Sequence, residues 1–195
     1  MQNKLTRDSL YSLEEYSNVR NDFRRKVIEH KKQRQVPIGP HATLYFEDAL
    51  TMQYQVQEML RIERIFESEG IEEELSAYNP LVPDGTNWKA TFMIEYDDAE
   101  ERKVALQRMV GIEDRVWVQV EGYDRVFAIA DEDLDRATQD KTSSVHFLRF
   151  ELSDAMVAAA KEGARVSMGI DHINYRYTVD SIEDGVRHSL AQDLH

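Results

Sequence analysis

The chain has 195 residues with 24 Lys and Arg, 37 Asp and Glu, no Cys and a formal net charge of −13. The absence of cysteine excludes a disulfide framework, a thiolate zinc site and a cysteine nucleophile, and the acidic balance argues against general affinity for nucleic acid or anionic membranes. No apolar run approaches the roughly 20 residues of a membrane span. The charged N-terminus lacks the apolar stretch of a signal peptide, so we expect a cytoplasmic protein.

The N-terminal segment is the only basic part of the chain. Residues 1–35 hold nine Lys and Arg against five Asp and Glu. Ser12 and Glu15 have the spacing of a capping box and predict a helix to about Gln33, and Pro37 and Pro40 separate this helix from the rest of the chain. The sequence thus predicts a basic helical arm over residues 1–35 and one acidic domain over residues 36–195.

The basic face of this arm has two interpretations. Charge runs are usually solvated, or balanced by acidic groups of the same chain or of a second subunit. Alternatively, the arm docks onto an acidic partner or a phosphate backbone. No aromatic residue follows Phe23 within the basic cluster, so the arm lacks side chains on which bases could stack. Binding to nucleic acid is therefore the weaker interpretation.

Beyond the arm, local patterns predict alternating helices and strands. In chain order these are strand 42–47, helices 51–67 and 69–77, loop 78–85, strand 88–96, a helix capped by Asp97 that ends before Gly111, strands 116–120 and 125–130, strand 144–152, helix 153–162, strand 166–170 and a last helix capped by Asp180. The two strands around Gly122 are typical of a hairpin. About six strands and five helices favour an α+β fold with a mixed, partly antiparallel sheet.

Three polar residues lie on the apolar side of their predicted elements. On a helical wheel, Glu63 falls within the apolar arc of helix 51–67. His146 and His172 share the apolar phase of their strands. Two imidazoles and a carboxylate form an established set for a divalent metal such as iron(II). The same set suits proton transfer or ligand binding. A lone interior His or Glu is, however, more often an ordinary core residue, for example Glu63 paired with Arg149.

We therefore name Glu63, His146 and His172 as candidate metal ligands. His41, Glu58 and Arg149 are candidate residues for binding a small ligand. The sequence has no Gly-x-Gly-x-x-Gly turn, phosphate loop, Gly-x-Ser-x-Gly elbow or His-Glu-x-x-His motif. No catalytic residue is assigned, and whether the protein is an enzyme stays open.

Four segments carry a resemblance to a known family: Gly39-Pro40-His41, residues 54–61 (YQVQEMLR), residues 78–81 (YNPL) and residues 141–152 (KTSSVHFLRFEL). They resemble an uncharacterised bacterial family, domain of unknown function 3501, over nearly the whole chain. The family has no assigned activity, so no residue role is transferred. Its members are often encoded near rubrerythrin-like proteins and iron–sulfur oxidoreductases, and the resemblance therefore implies a redox context with redox proteins as partners.

Together these observations predict an accessory protein of a bacterial redox or oxidative-stress system. It would bind a metal ion or a small ligand at an interior His/Glu site. The alternative is a non-catalytic interaction module, which forms a homodimer or docks onto a partner through the basic N-terminal helix.

Overall fold

The computed structural model describes residues 4–138 and 140–195. In these ranges the chain forms six α-helices and nine β-strands, which confirms the predicted α+β class. The helices are α1 (Leu13–Lys32), α2 (Ala49–Ile62), α3 (Ser68–Tyr78), α4 (Ala99–Arg108), α5 (Asp154–Lys161) and α6 (Asp184–Ala191). The strands are β1 (Gln35–Pro37), β2 (Ala42–Phe46), β3 (Asn87–Ile94), β4 (Val116–Val120), β5 (Val126–Phe127), β6 (Ile129–Ala130), β7 (Val145–Glu151), β8 (Val166–His172) and β9 (Tyr175–Val179).

The strands form two sheets in which every pairing is antiparallel. One sheet has the order β1-β2-β3-β7-β6, and the other has the order β5-β4-β8-β9. Alternate residues of β3 are buried, as expected for a strand with one face on the core. The main apolar cluster joins Trp88 and Phe150 of the first sheet to Val118 and Met168 of the second. The core therefore lies between the inner faces of the two sheets.

Helices α1, α2 and α3 build a separate layer with its own apolar contacts. Tyr16, Phe23 and Val27 bury one side of α1 beside Tyr54 of α2. The Glu58 carboxylate accepts hydrogen bonds from the Tyr16 hydroxyl at 2.6 Å and from the Arg20 guanidinium at 2.8 Å. The guanidinium holds the pKa of Glu58 below its usual value. Glu58 thus fastens α1 to α2. The boundary predicted between residues 35 and 36 falls inside strand β1 (Gln35–Pro37).

A buried arginine joins the start of the chain's first strand to its last helix. Arg34 is 2% exposed and donates to Asp193 Oδ2 at 2.5 Å and to the carbonyl oxygens of Phe46 and Glu47. It also donates to Ser189 at the end of α6, and its Nε lies 3.5 Å from Asp48 Oδ2. Burial raises the pKa of Asp193 to about 6, against the opposing effect of Arg34. The sheet edge and the C-terminal helix are therefore held together by one saturated guanidinium.

Several predicted boundaries differ from those observed. Helix α2 begins after Asp48, whose side chain accepts from the backbone N–H of Thr51, and it ends at Ile62 rather than at residue 67. Helix α4 is capped by Asp98, not Asp97, and the last helix begins after Glu183, not Asp180. The predicted strand 125–130 divides between sheets, because β5 pairs with β4 and β6 pairs with β7. Strands β1 and β9 were not predicted.

None of the described helices is both long enough and apolar enough to cross a membrane.

Candidate functional site

The three candidate metal ligands have separate environments. The prediction that Glu63 faces the core is wrong: it caps the C-terminus of α2, and its side chain is exposed. The helix stops there because Arg64 adopts a left-handed conformation with φ of 56°. His172, at the end of β8, contacts the Val110 carbonyl at 3.1 Å through Nε2 and accepts at Nδ1 from the Asn174 backbone N–H.

Within residues 4–138 and 140–195, no three His, Asp or Glu side chains form a group that could hold a metal ion. The three predicted ligands therefore do not fit a shared metal site.

His146 is an interior residue, as the strand pattern predicted. Its partners, however, are not Glu63 and His172. The ring is fully buried, with Nδ1 2.5 Å from Asp131 Oδ2 and Nε2 2.8 Å from the Thr142 hydroxyl. That hydroxyl donates in turn to Glu113 Oε2 at 2.9 Å. The result is a buried chain of the order carboxylate, imidazole, hydroxyl, carboxylate.

Three hydrogen bonds link the four groups of this buried network, and each group takes part in at least one of them. Nε2 of His146 also lies 3.1 Å from the Ser143 carbonyl oxygen, which only accepts. The network is therefore a buried structural anchor in which one imidazole lies between two carboxylates.

His41 lies at the junction of the two sheets, in contact with aromatic side chains. Its ring stacks on Tyr96 with centroids 3.9 Å apart, and Nδ1 is 3.0 Å from the Glu95 carbonyl. Its backbone N–H donates to the Tyr175 hydroxyl, which donates to the Ile38 carbonyl. His41 therefore takes part in fixing strand β9 to the first sheet.

Arg149, by contrast, lines a cleft. The cleft has a volume of about 250 Å³ and lies on the outer face of the first sheet, between β7, the segment after α3 and the loop after β6. Its apolar lining includes Tyr78, Leu81 and Phe147, and its polar lining comprises Lys89, Arg149, Glu132 and Asp133. An apolar cavity with a few convergent polar groups is the usual form of a small-molecule site.

Two cations stand side by side in this cleft. Lys89 of β3 lies directly opposite Arg149 of β7 in the strand register. Like charges at such positions destabilise a sheet, because their Cβ atoms lie only about 5 Å apart. The sheet tolerates the pair because each cation has other partners. The Lys89 ammonium donates to the carbonyl oxygens of Pro80 at 2.7 Å and Val82 at 3.0 Å.

The partners of Arg149 are carboxylates. Its Nε and Nη2 donate to the two oxygens of Glu132 at 2.9 and 2.8 Å, and its Nη1 donates to Glu151. These hydrogen bonds raise the pKa of Arg149 and lower that of Glu132. Burial lowers the pKa of Lys89, and nearby Arg149 lowers it further, against the opposing effect of Asp84. The cleft thus holds two cations and two carboxylates, and Arg149 is paired with Glu132 inside it and with Glu151 beside it.

The loop that carries Glu132 is anchored by the His146 network. Asp131 has a left-handed backbone with φ of 49°, which is unusual for a residue other than glycine. Its carboxylate compensates by accepting from Arg136, His146 and the Phe147 backbone N–H. Arg136 also stacks over the Phe147 ring at 4.5 Å. The buried imidazole therefore positions one wall of the cleft.

Sequence reasoning identified Arg149 and His146 but missed Lys89, Glu132 and Asp131. Lys89 interrupts the apolar run of strand 88–96, and residues 131–135 form an acidic run. These two features were the signals that could have found them. The pairing of Lys89 with Arg149 depends on strand register across some sixty residues, which no local pattern specifies.

Comparisons with known proteins agree with this picture of the fold. A crystal structure of a novel protein of unknown function from Burkholderia pseudomallei K96243 is 55% identical to this chain, with a TM-score of 0.93, and the match covers 98% of this chain and all of that one. No curated protein matches the chain. A family model described as "Protein of unknown function (DUF3501)" matches residues 4–194. The chain therefore belongs to the family DUF3501.

Proposed function

We propose that the protein binds a small carboxylate with an apolar body in the Lys89–Arg149 cleft. The observation that carries the proposal is the pair of cations held opposite each other in the strand register of β3 and β7. Such a pair costs free energy in the sheet itself, and local features that oppose stability are typical of functional sites. A guanidinium fork beside an ammonium suits a carboxylate.

Glu132 occupies the place that the ligand would take. Its carboxylate bonds the Arg149 fork in the bidentate mode expected of a bound carboxylate, and its side chain is 51% exposed. Ion pairs at such exposure contribute only about 0–1 kcal/mol. An incoming carboxylate therefore displaces Glu132 at little cost. Lys89 adds a second positive charge to the cleft, although its ammonium also donates to two carbonyls and lies 4.0 Å from Asp84 Oδ2.

The opposite wall determines the rest of the ligand. Tyr78, Leu81 and Phe147 provide an apolar surface, and the volume of about 250 Å³ fits a compact ring rather than a nucleotide or a long chain. A small aromatic carboxylate meets both requirements. In the wider role predicted from the family resemblance, an accessory protein of redox metabolism, this cleft would be the ligand site in place of a metal centre.

The test uses benzoate as the probe and two substitutions with opposite expected effects. Arg149→Met removes the fork and is expected to weaken benzoate binding at least tenfold. Glu132→Gln removes the competing charge and is expected to strengthen it several-fold, because Arg149 is then free. Isothermal titration calorimetry, supported by the displacement of backbone amide signals around Phe147, measures both effects.

Arg165→Met is the matched control, since Arg165 forms an exposed ion pair with Glu121 away from the cleft. Benzoate affinity is expected to be unchanged in this variant. The proposal fails if Arg149→Met and Arg165→Met bind benzoate equally, or if Glu132→Gln binds it more weakly than the unchanged chain. Phenol, which lacks the carboxylate, is expected to bind at least tenfold more weakly than benzoate.

A further inference from the structure

A second cleft lies beside α4, and it shares no lining residue with the Lys89–Arg149 cleft. It has a volume of about 580 Å³, and its floor is formed by Tyr96, Val104, Ala105 and Met109. Its charged lining consists of three carboxylates, Asp98, Glu100 and Glu101, and one cation, Arg108. Asp98 caps the helix by accepting from two backbone N–H groups, whereas the Glu100 and Glu101 side chains are exposed. The cleft therefore has an apolar floor and a rim whose net charge is negative.

Helix α4 packs Ala105 and Leu106 against the main core, and its other side is open to solvent in the described chain. None of its ten residues is buried, and Val104 is 44% exposed. Next to the cleft, at the turn between β8 and β9, Ile173 is 88% exposed. Exposed apolar side chains grouped within a polar rim mark interaction surfaces.

The complementary surface is on α1. Ile28 is 47% exposed, and at helical spacing four cations surround it: Arg24, Arg25, Lys31 and Lys32. Arg25 and Lys32 pair with Asp22 and Glu29 on the same helix. In the described part of the chain, Arg24 and Lys31 have no carboxylate within ion-pair distance. One apolar side chain among cations thus matches an apolar cleft among carboxylates.

We infer that the acid-rimmed cleft of one molecule binds the basic face of α1 from a second copy of this chain. Ile28 enters the apolar floor near Val104, and Arg24 and Lys31 pair with the carboxylates of Glu100 and Glu101. This is helix-in-groove recognition with a single apolar anchor. The helix is presented rigidly, because Arg20 and Phe23 fasten α1 to α2 of its own chain.

The two surfaces lie on different parts of each molecule. Two copies that exchange both contacts form a two-fold dimer, whereas single contacts join molecules head to tail into a ring or an open chain. Because the contact depends on exposed charges, it weakens with salt, where the screening length falls from about 10 Å at 0.1 M to about 3 Å at 1 M. Association at low salt that is lost at high salt is the expected behaviour.

The test is a reciprocal charge reversal measured by analytical ultracentrifugation at low salt. Glu100→Lys with Glu101→Lys reverses the cleft, and Arg24→Glu with Lys31→Glu reverses the helix. Each double variant alone is expected to associate at least tenfold more weakly than the unchanged chain. Mixed in equal amounts, the two are expected to associate again, because each then meets a surface of opposite charge.

Glu69→Lys with Glu73→Lys, two exposed positions on α3, is the matched control and is expected to associate like the unchanged chain. A chain that remains monomeric at low salt and high concentration overturns the inference, as does association that survives both reversals. Failure of the mixture to associate also overturns it. Benzoate binding in the ligand cleft is independent of all these outcomes.

Discussion

Buried polar side chains in this protein are hydrogen-bonded to one another or to the backbone. Among the described side chains, no buried nitrogen or oxygen lacks a hydrogen bond. The two most demanding sets surround Arg34 and His146, which are 2% and 0% exposed. A buried charge without its partner costs several kcal/mol. At the scale of single residues, removal of one member is therefore far more damaging than the absence of the whole set.

His146 gives the first prediction at this scale. His146→Leu removes the imidazole between Asp131 and Glu113 and leaves both carboxylates facing an apolar side chain. We expect the free energy of unfolding to fall by about 3–5 kcal/mol, measured by urea denaturation. His188→Leu, at an exposed position on α6, is the control and should change it by less than about 1 kcal/mol. A similar loss in both variants would contradict the anchoring role.

Asp193 gives a prediction about pH. Its pKa is raised to about 6 by burial, above its ordinary value of 3.8. Between these two pH values the folded chain binds more protons than the unfolded chain, so this group makes the protein less stable as the pH rises. In the Asp193→Asn variant the side chain does not titrate, so this pH-dependent contribution to stability is absent. Relative to this variant, the unchanged protein should lose up to roughly 3 kcal/mol of stability between pH 4 and pH 7.

Urea denaturation of both proteins at several pH values measures this difference. The comparison with Asp193→Asn separates this effect from that of carboxylates such as Glu58, whose lowered pKa stabilises the protein as the pH rises. A relative stability that increases towards pH 7 would show that the Arg34 ion pair outweighs the burial of Asp193.

At the scale of elements, local patterns predicted what depends on local chemistry. The capping box of Ser12 and Glu15 begins α1, and the hairpin of β4 and β5 encloses Gly122, as expected. Glu63 was misplaced because the helical wheel was continued past Ile62, where the left-handed Arg64 ends the helix. A periodic pattern holds no information about such a stop unless glycine or proline marks it.

The pairing of β4 with β8 gives a prediction at the same scale. Gly169 lies opposite Trp117, and a Cβ atom at this glycine would be 2.4 Å from Cζ2 of the indole. The indole is buried over the glycine, with the Arg125 guanidinium stacked on it at 3.9 Å. Gly169→Ala should therefore lower the free energy of unfolding by about 1–3 kcal/mol.

A double-mutant cycle tests the cause. In a Trp117→Leu background the same Gly169→Ala change should cost at least about 0.5 kcal/mol less than in the unchanged chain, since the indole is no longer there to clash. Additive effects of the two substitutions would indicate that the backbone around β9, rather than Trp117, limits the space at Gly169.

At the scale of the whole molecule, the charge asymmetry seen in the sequence has a structural counterpart. The basic α1 lies on the outside of the helical layer, and the acidic rim of α4 lies beside the turn between β8 and β9. The sequence predicted the basic helix and its two interpretations, but not the acidic cleft, because that cleft is formed by Tyr96, α4 and Asn174 brought together by tertiary structure. The Lys89–Arg149 cleft was not predicted for the same reason, since tertiary structure brings its residues together.

The ion pair of Arg34 with Asp193 spans 159 positions of the chain. During synthesis at roughly 5–20 residues per second, Arg34 leaves the ribosome about 8–30 s before its carboxylate partner. The Trp88 indole N–H likewise donates to the carbonyl oxygen of Leu190, which is made 102 positions later. Nascent chains therefore leave Arg34 and the Trp88 indole without these partners for many seconds, until residues 190–193 have been made.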